Sequence, residues 1–333
     1  MGKILKDIKF SVLDLAPIKE GSNAAESFKE SLELARLAEQ WGYNRYWVAE
    51  HHSMPGIASS ATSVLIGYLA GGTNEIRIGS GGIMLPNHSP LVIAEQFGTL
   101  ESMYPGRIDL GLGRAPGSDQ LTARALRRFQ SDGNDFPELV EELRTYLKPY
   151  EDTQLPVRAI PGEGLKIPIW LLGSSDFSAR LAGRLGLPFA FASHFSPDYT
   201  VPALNTYYNT FIPSDILEKP YTMVGVNIIA ADTDEKAEFL ATSSQQQFLN
   251  LIRNNPTPLK PPVPNMEEVW SAYEKSIVQQ QLKSSIIGSK ETVARKLQAF
   301  LDITQADEMI INTQVYSQAD RKRSYEIVKN IVM

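Results

Sequence analysis

A (β/α)8 TIM barrel, an α/β fold, is what this sequence predicts, and three observations carry the prediction. Short β-branched or apolar runs alternate with longer segments of helical period along the whole chain. Eight of those runs read as strands. At 333 residues the chain is long for one average domain but suits such a barrel, which commonly runs to about 250 residues and more with insertions. An open doubly wound sheet is the rival arrangement.

In chain order, IKFSVLDL (8–15) reads as the first strand, followed by the helix SNAAESFKESLELARLAEQWG (22–42), which has Ser22 near its start and Gly42 just past its end. YNRYWVAE (43–50) is a strand and SSATSVLIGYLAGG (59–72) a helix. IRIGSGGIML (76–85), the helix SPLVIAEQFGTLESMY (89–104) and the strand RIDLGLG (107–113) follow. Beyond an irregular piece at 131–165 come IPIWLLG (167–173), the helix FSARLAGRLG and PFAFAS (188–193). A helix near 197–212, the strand YTMVGVNIIAA (221–231), DEMIINT (307–313) and a last helix complete the series. The organisation is a single domain, 1–333, with an insertion at 232–285. That insertion carries the proline-dense RNNPTPLKPPVPN and reads as a loop, or a lid, beside the barrel mouth.

Composition narrows the function. A net charge of −6 gives no electrostatic footprint for nucleic acid, and the basic clusters RALRRF (124–129) and RKR (321–323) read as solvated helix faces. The chain has no cysteine, which excludes disulfides, thiolate metal sites and cysteine nucleophiles. The N-terminus is too charged for a signal peptide, and no run of about 18 apolar residues exists to cross a membrane, so cytoplasmic location is the default expectation.

Active sites of such barrels lie where the strands stop. The second strand stops at Glu50, His51 and His52. Successive strand side chains point to opposite sides, so at most one of the two histidines is expected to do chemistry. For His51 the readings are proton transfer, metal binding or a structural hydrogen bond. The only other histidines are His88 and His194, no zinc spacing is formed, and no metal is expected. His88 is expected on a surface loop, and His194 either reaches the substrate or sits in the wall.

GSGGIML (79–85) places glycines in a strand interior, which implies either a bulge or the close approach of a ligand. GLGRAPGSD (111–119) resembles a dinucleotide fingerprint only superficially, being G-x-G-x-x-x-G with Pro116 in the turn. What remains is Arg114, a cationic fork suited to phosphate or to a structural ion pair. Gly173, Ser174 and Ser175 precede a helix, so they form either an anion site or an ordinary N-cap.

The stretches YWVAEHH, GSGGIMLPNHSPLVIAEQFGTLESMYPGRIDLGLGR, LLGSSDFSARLAGRLGLPFAFASHF and IIGSKETVARKLQAFLDITQADEMIINT together resemble the bacterial luciferase-like, flavin-dependent monooxygenases. That resemblance implies a TIM barrel with FMN, in its reduced form FMNH2, at the mouth, and O2 and a small organic substrate as reactants. It also implies a homodimer or larger homo-oligomer. No nicotinamide fingerprint is present, so a separate flavin reductase is expected to deliver FMNH2. By resemblance His51 is the catalytic acid–base. Gly81 and Gly82 occupy the place of two alanines joined by a cis peptide beneath the ring. Arg114 is the phosphate-side arginine with Ala115 next to the ring, and Gly173, Ser174 and Ser175 form the phosphate loop. Where luciferase carries a reactive cysteine this chain has Gly113, and the proline-dense segment does not resemble luciferase's mobile loop. The match is to the broad group of luciferase-like oxidoreductases. F420-dependent hydride transfer and FMN binding without turnover are the alternatives.

Overall fold

The structure is a computed structural model that describes residues 2–115, 120–126 and 133–332. Ten strands are present among them: β1 (Lys9–Asp14), β2 (Arg45–Val48), β3 (Arg77–Ser80), β4 (Ile83–Met84) and β5 (Ile108–Gly113), then β6 (Ile169–Gly173), β7 (Phe189–Phe191), β8 (Thr222–Ala230), β9 (Ile286–Gly288) and β10 (Glu308–Asn312). The helices are α1 (Ala24–Gln40), α2 (Thr62–Gly71), α3 (Pro90–Met103), α4 (Gln120–Ala125), α5 (Phe136–Tyr146) and α6 (Tyr150–Thr153). They continue with α7 (Asp176–Leu185), α8 (Thr200–Thr210), α9 (Asp234–Ile252), α10 (Ala272–Gln281), α11 (Lys290–Thr304) and α12 (Gln318–Val332).

The strands pair in parallel in the order β10-β1-β2-β3-β5-β6-β7-β8, and β10 pairs back to β8. That last pairing closes an eight-stranded barrel, the fold the alternation predicts, and rules out the open sheet. The eight strands read from sequence supply its eight staves. The run 76–85 is broken in two, because after Ser80 the chain steps aside and only Ile83 and Met84 pair again, with Leu112 and Gly113. β9 adds a short strand against the far end of β8 that its three residues gave little pattern to announce.

The insertion is the element the sequence reading had wrong. Residues 232–285 are not one loop: α9 runs for 19 residues from Asp234 to Ile252, N-capped by Thr233, whose side chain accepts from the Lys236 amide. Its buried face, Ala237, Leu240, Ala241 and Leu249, has ordinary helical spacing. The prolines lie beyond it, in the 253–271 stretch between α9 and α10 that has no α-helix. That stretch stays beside the mouth, because the Leu259 amide donates to the Ile18 carbonyl and the Glu20 amide to the Leu259 carbonyl, both at 2.8 Å. α10 then reaches the β7–α8 loop, where Ser284 Oγ donates to the Ser193 carbonyl at 2.9 Å.

Two buried charge networks fix the barrel. At its lower end Arg45 donates to Asp109 at 2.7 Å and to Glu308 at 2.8 Å, and Arg77 meets Asp109 at 2.6 Å. Above them the inward side chains Leu13, Trp47, Trp170, Met223 and Ile310 fill the interior, with Trp47 and Trp170 edge to face at 5.3 Å. The loops that follow the strands gather at the opposite end, the mouth. On the outer side Arg321 of α12 meets Asp14 at 2.7 Å, which also accepts from Tyr46. Burial pushes the Asp14 carboxyl up, but Arg321 and the hydrogen bonds outweigh that and hold it below its usual range.

Candidate active site at the barrel mouth

Glu50, His51 and His52 follow β2, and the loop after them is held by the Ser59 carbonyl, which accepts from the His51 amide at 3.1 Å. The two histidines separate as strand geometry requires. His52 turns to Glu50, with Nε2 at 2.8 Å from the carboxylate. His88 reaches the same oxygen from the start of α3, also at 2.8 Å, and the Met84 amide donates to the second oxygen at 3.0 Å. Burial pushes Glu50 up, but these donors outweigh it and keep the carboxyl below its usual range, so Glu50 is an anion at neutral pH. His88, expected on a free surface loop, is thus bound into this cluster. A carboxylate with two imidazoles is also a donor set that can take a divalent cation, yet here each ligating atom already has a hydrogen-bonded partner.

His51 stands apart from the cluster. Its Nδ1 is buried and has no hydrogen-bond partner among the described residues. Burial lowers the His51 pKa against the pull of Glu50, so the ring is neutral at pH 7 and free to take a proton.

The Gly81–Gly82 peptide bond is cis, as the resemblance implied. A Cβ on Gly82 would lie 2.7 Å from the Gly111 carbonyl, and one on Gly81 would meet Leu13 at 2.8 Å. At Gly82 the close approach is therefore that of the neighbouring strand, the bulge-like reading of these glycines. Gly113 ends β5 beside Met84.

Arg114 leaves β5 and lays its guanidinium over the Phe177 ring, with Cζ 4.2 Å from the centroid. Phe177 is in the first turn of α7, directly after Gly173, Ser174 and Ser175, so the two phosphate-seeking features of the sequence are brought together. Ser175 is the N-cap in extended conformation, and its side chain makes no capping hydrogen bond. That leaves the first-turn amides and a hydroxyl for an anion. The one acid in that turn, Asp176, leans toward Arg180 at 3.4 Å. Ala115 is exposed next to Arg114, and the rest of the GRAPGSD turn, like residues 127–129 of the basic cluster, lies outside the described residues. The donor set fits a phosphate-bearing cofactor.

Opposite stands a polar wall of which the sequence offered His194 but not Asn227 and Asn312. The His194 ring fills the space above Gly225, against which a Cβ there would collide with Nδ1. Burial, helped by His51, lowers its pKa to about 4. Nδ1 is buried with no partner among the described residues, although the residue as a whole is partly exposed. Asn227 and Asn312 face each other in register on β8 and β10. One signal was available: each is a lone amide in an otherwise apolar run, GVNII and IIN.

The chain matches the luciferase-like monooxygenase family over residues 8–306. It is 58% identical over 327 residues to a luciferase-like monooxygenase of Escherichia coli K12, covering 98% of this chain and 97% of that protein. Among solved structures, apo-MsnO8 superposes with a TM-score of 0.87 at 35% identity, covering 98% of both chains. The FMN complex of the oxygenating constituent of 3,6-diketocamphane monooxygenase from Pseudomonas putida shares the fold at a TM-score of 0.73 and 18% identity, covering 98% of this chain and 97% of the other. This chain belongs to the luciferase-like monooxygenase family, and it is an enzyme of that class.

Proposed function

We propose that the chain, acting as one barrel domain with the 232–285 segment flanking its mouth, uses FMNH2 and O2 to oxygenate a small organic substrate. The convergence of Arg114 with the start of α7 carries this reading, and His51, at another strand end, keeps a buried Nδ1 with no partner among the described residues. Reduced flavin, when bound, supplies the electrons that activate O2. Arg114, the amides after Ser175 and the Ser174 and Ser175 hydroxyls hold its phosphate, with Gly173 giving the backbone room to turn. Gly81, Gly82 and Ala115 would lie beside its ring. His51, neutral at working pH, takes or returns a proton at Nδ1. The packed floor of Trp47, Trp170 and Arg45 keeps water out from below.

A separate flavin reductase delivers FMNH2 in this reading. The chain assembles as a homodimer or larger homo-oligomer through α2 and α3, which leave Val64, Tyr68, Val92 and Met103 exposed. Among the described residues no helix is long and apolar enough to cross a membrane, so no membrane partner is invoked.

The test supplies FMNH2 from an independent reductase in air and follows labelled oxygen from O2 into small organic substrates. Label should enter product, and His51→Ala should lower turnover by about 10²- to 10⁴-fold while FMN affinity stays within a few-fold. Hydride transfer with F420 and no use of O2, or FMN binding without any turnover, overturns the assignment.

A further inference from the structure

β8 and β10 each carry one asparagine on the face that looks into the barrel. Asn227 and Asn312 are register partners, two residues beyond Gly225 and Ile310, and Ile310 belongs to the inner cluster. Their amide orientations are set by chemistry. The His194 carbonyl can only accept, so Asn227 presents Nδ2 to it at 2.9 Å. Asn227 Oδ1 then accepts from Asn312 Nδ2 at 3.0 Å. The chain of amides ends on Asn312 Oδ1, which is buried and has no hydrogen-bond partner among the described residues, on a side chain whose residue is 6% exposed. An acceptor buried without a donor is unfavourable unless something supplies one. Gln314 Oε1, two residues further along, is a second such acceptor. This side of the mouth offers acceptors and asks for donors.

We propose that Asn312 is a cofactor-recognising residue whose Oδ1 accepts the imide N–H of the pyrimidinedione edge of a bound flavin. The proposal rests on the flavin reading above but not on FMN over F420, because both rings carry that imide. The anchor for the phosphate is at the ends of β5 and β6, and β10 lies across the barrel from them. A ring extending from that anchor presents one polar and one apolar end. The polar end matches the amide wall of β8 and β10, whose buried acceptor needs a donor. Turning the ring over would leave Asn312 Oδ1 against hydrocarbon, and the locked amides cannot rotate to relieve it without breaking two hydrogen bonds.

The experiment titrates wild type, Asn312→Ala and Asn312→Asp with FMN and with N3-methyl-FMN, following flavin fluorescence. Wild type should bind FMN about tenfold or more tighter than the methylated ring, which has no imide donor. Asn312→Ala should bind the two within about threefold of each other. Asn312→Asp, which keeps an oxygen at that place, should retain the preference. Wild type that is indifferent to N3-methylation overturns the assignment, and so does a full preference surviving in Asn312→Ala. The wild-type comparison stands even if the alanine variant does not fold. Failure to bind either FMN or F420 overturns the flavin reading and this assignment with it, whereas FMN bound without preference overturns this assignment alone.

Discussion

Two neighbouring histidines received opposite fates because one residue before them is an acid. Glu50 gathers His52, His88 and the Met84 amide, which consumes their hydrogen-bonding capacity and leaves His51 uncommitted. Strand alternation made the split between His51 and His52 legible in the sequence. The partner was not, since His88 comes from a segment 36 residues later. His194 carries a consequence for pH. Its folded pKa of about 4 lies below the ordinary histidine value, so the unfolded chain binds the extra proton first. Stability is therefore complete above about pH 6.5 and falls as pH drops toward 4, at up to about 1.4 kcal/mol per pH unit for that one group. His51, also depressed by burial, acts in the same direction. Urea denaturation at pH 7.5 and pH 5 should show a larger loss for wild type than for His194→Asn, and equal losses in the two proteins would rule the buried neutral imidazole out.

At the scale of elements, the helices and strands with strong periodicity were readable and the segment 232–285 was not. The prolines at 256–264 dominated its composition and hid a helix that precedes them. They break helix only where they stand, and α9, with Thr233 as its cap, ends before the first of them. The proline stretch itself is held in place by close packing. A Cβ on Gly56 would come within 2.5 Å of the Thr257 carbonyl, and the flanking ladder to Ile18 and Glu20 leaves little room to yield. Gly56→Ala should cost about 1–3 kcal/mol through overpacking and speed hydrogen exchange at the Leu259 amide, with the β5 and β6 amides unaffected. Unchanged protection at Leu259 would show that the stretch is held by something else.

At the scale of the whole molecule, α2 is apolar on nearly every side, yet Val64 is 73% exposed and Tyr68 44%. A helix of that character is ordinarily covered all round. α3 beside it adds Val92 and Met103, and the combined face is the one we assign to a second copy of the chain. Wild type should sediment as a dimer or larger species, and Val64→Asp, which would bury a charge in that face, should shift it to monomer without lowering its melting temperature by more than a few degrees. Wild type that stays monomeric at high concentration would remove the assembly.

The sequence by itself determined the barrel, its eight staves and the strand ends at which chemistry is placed, because periodicity and turn chemistry act between residues near one another in the chain. Only the tertiary structure decided which histidine is free, that Gly82 makes room for the Gly111 carbonyl, and that Asn227, Asn312 and His194 share a wall. Those outcomes depend on closure of β10 against β8, 78 residues apart between Ala230 and Glu308, and no local pattern encodes which side chains such a closure brings face to face.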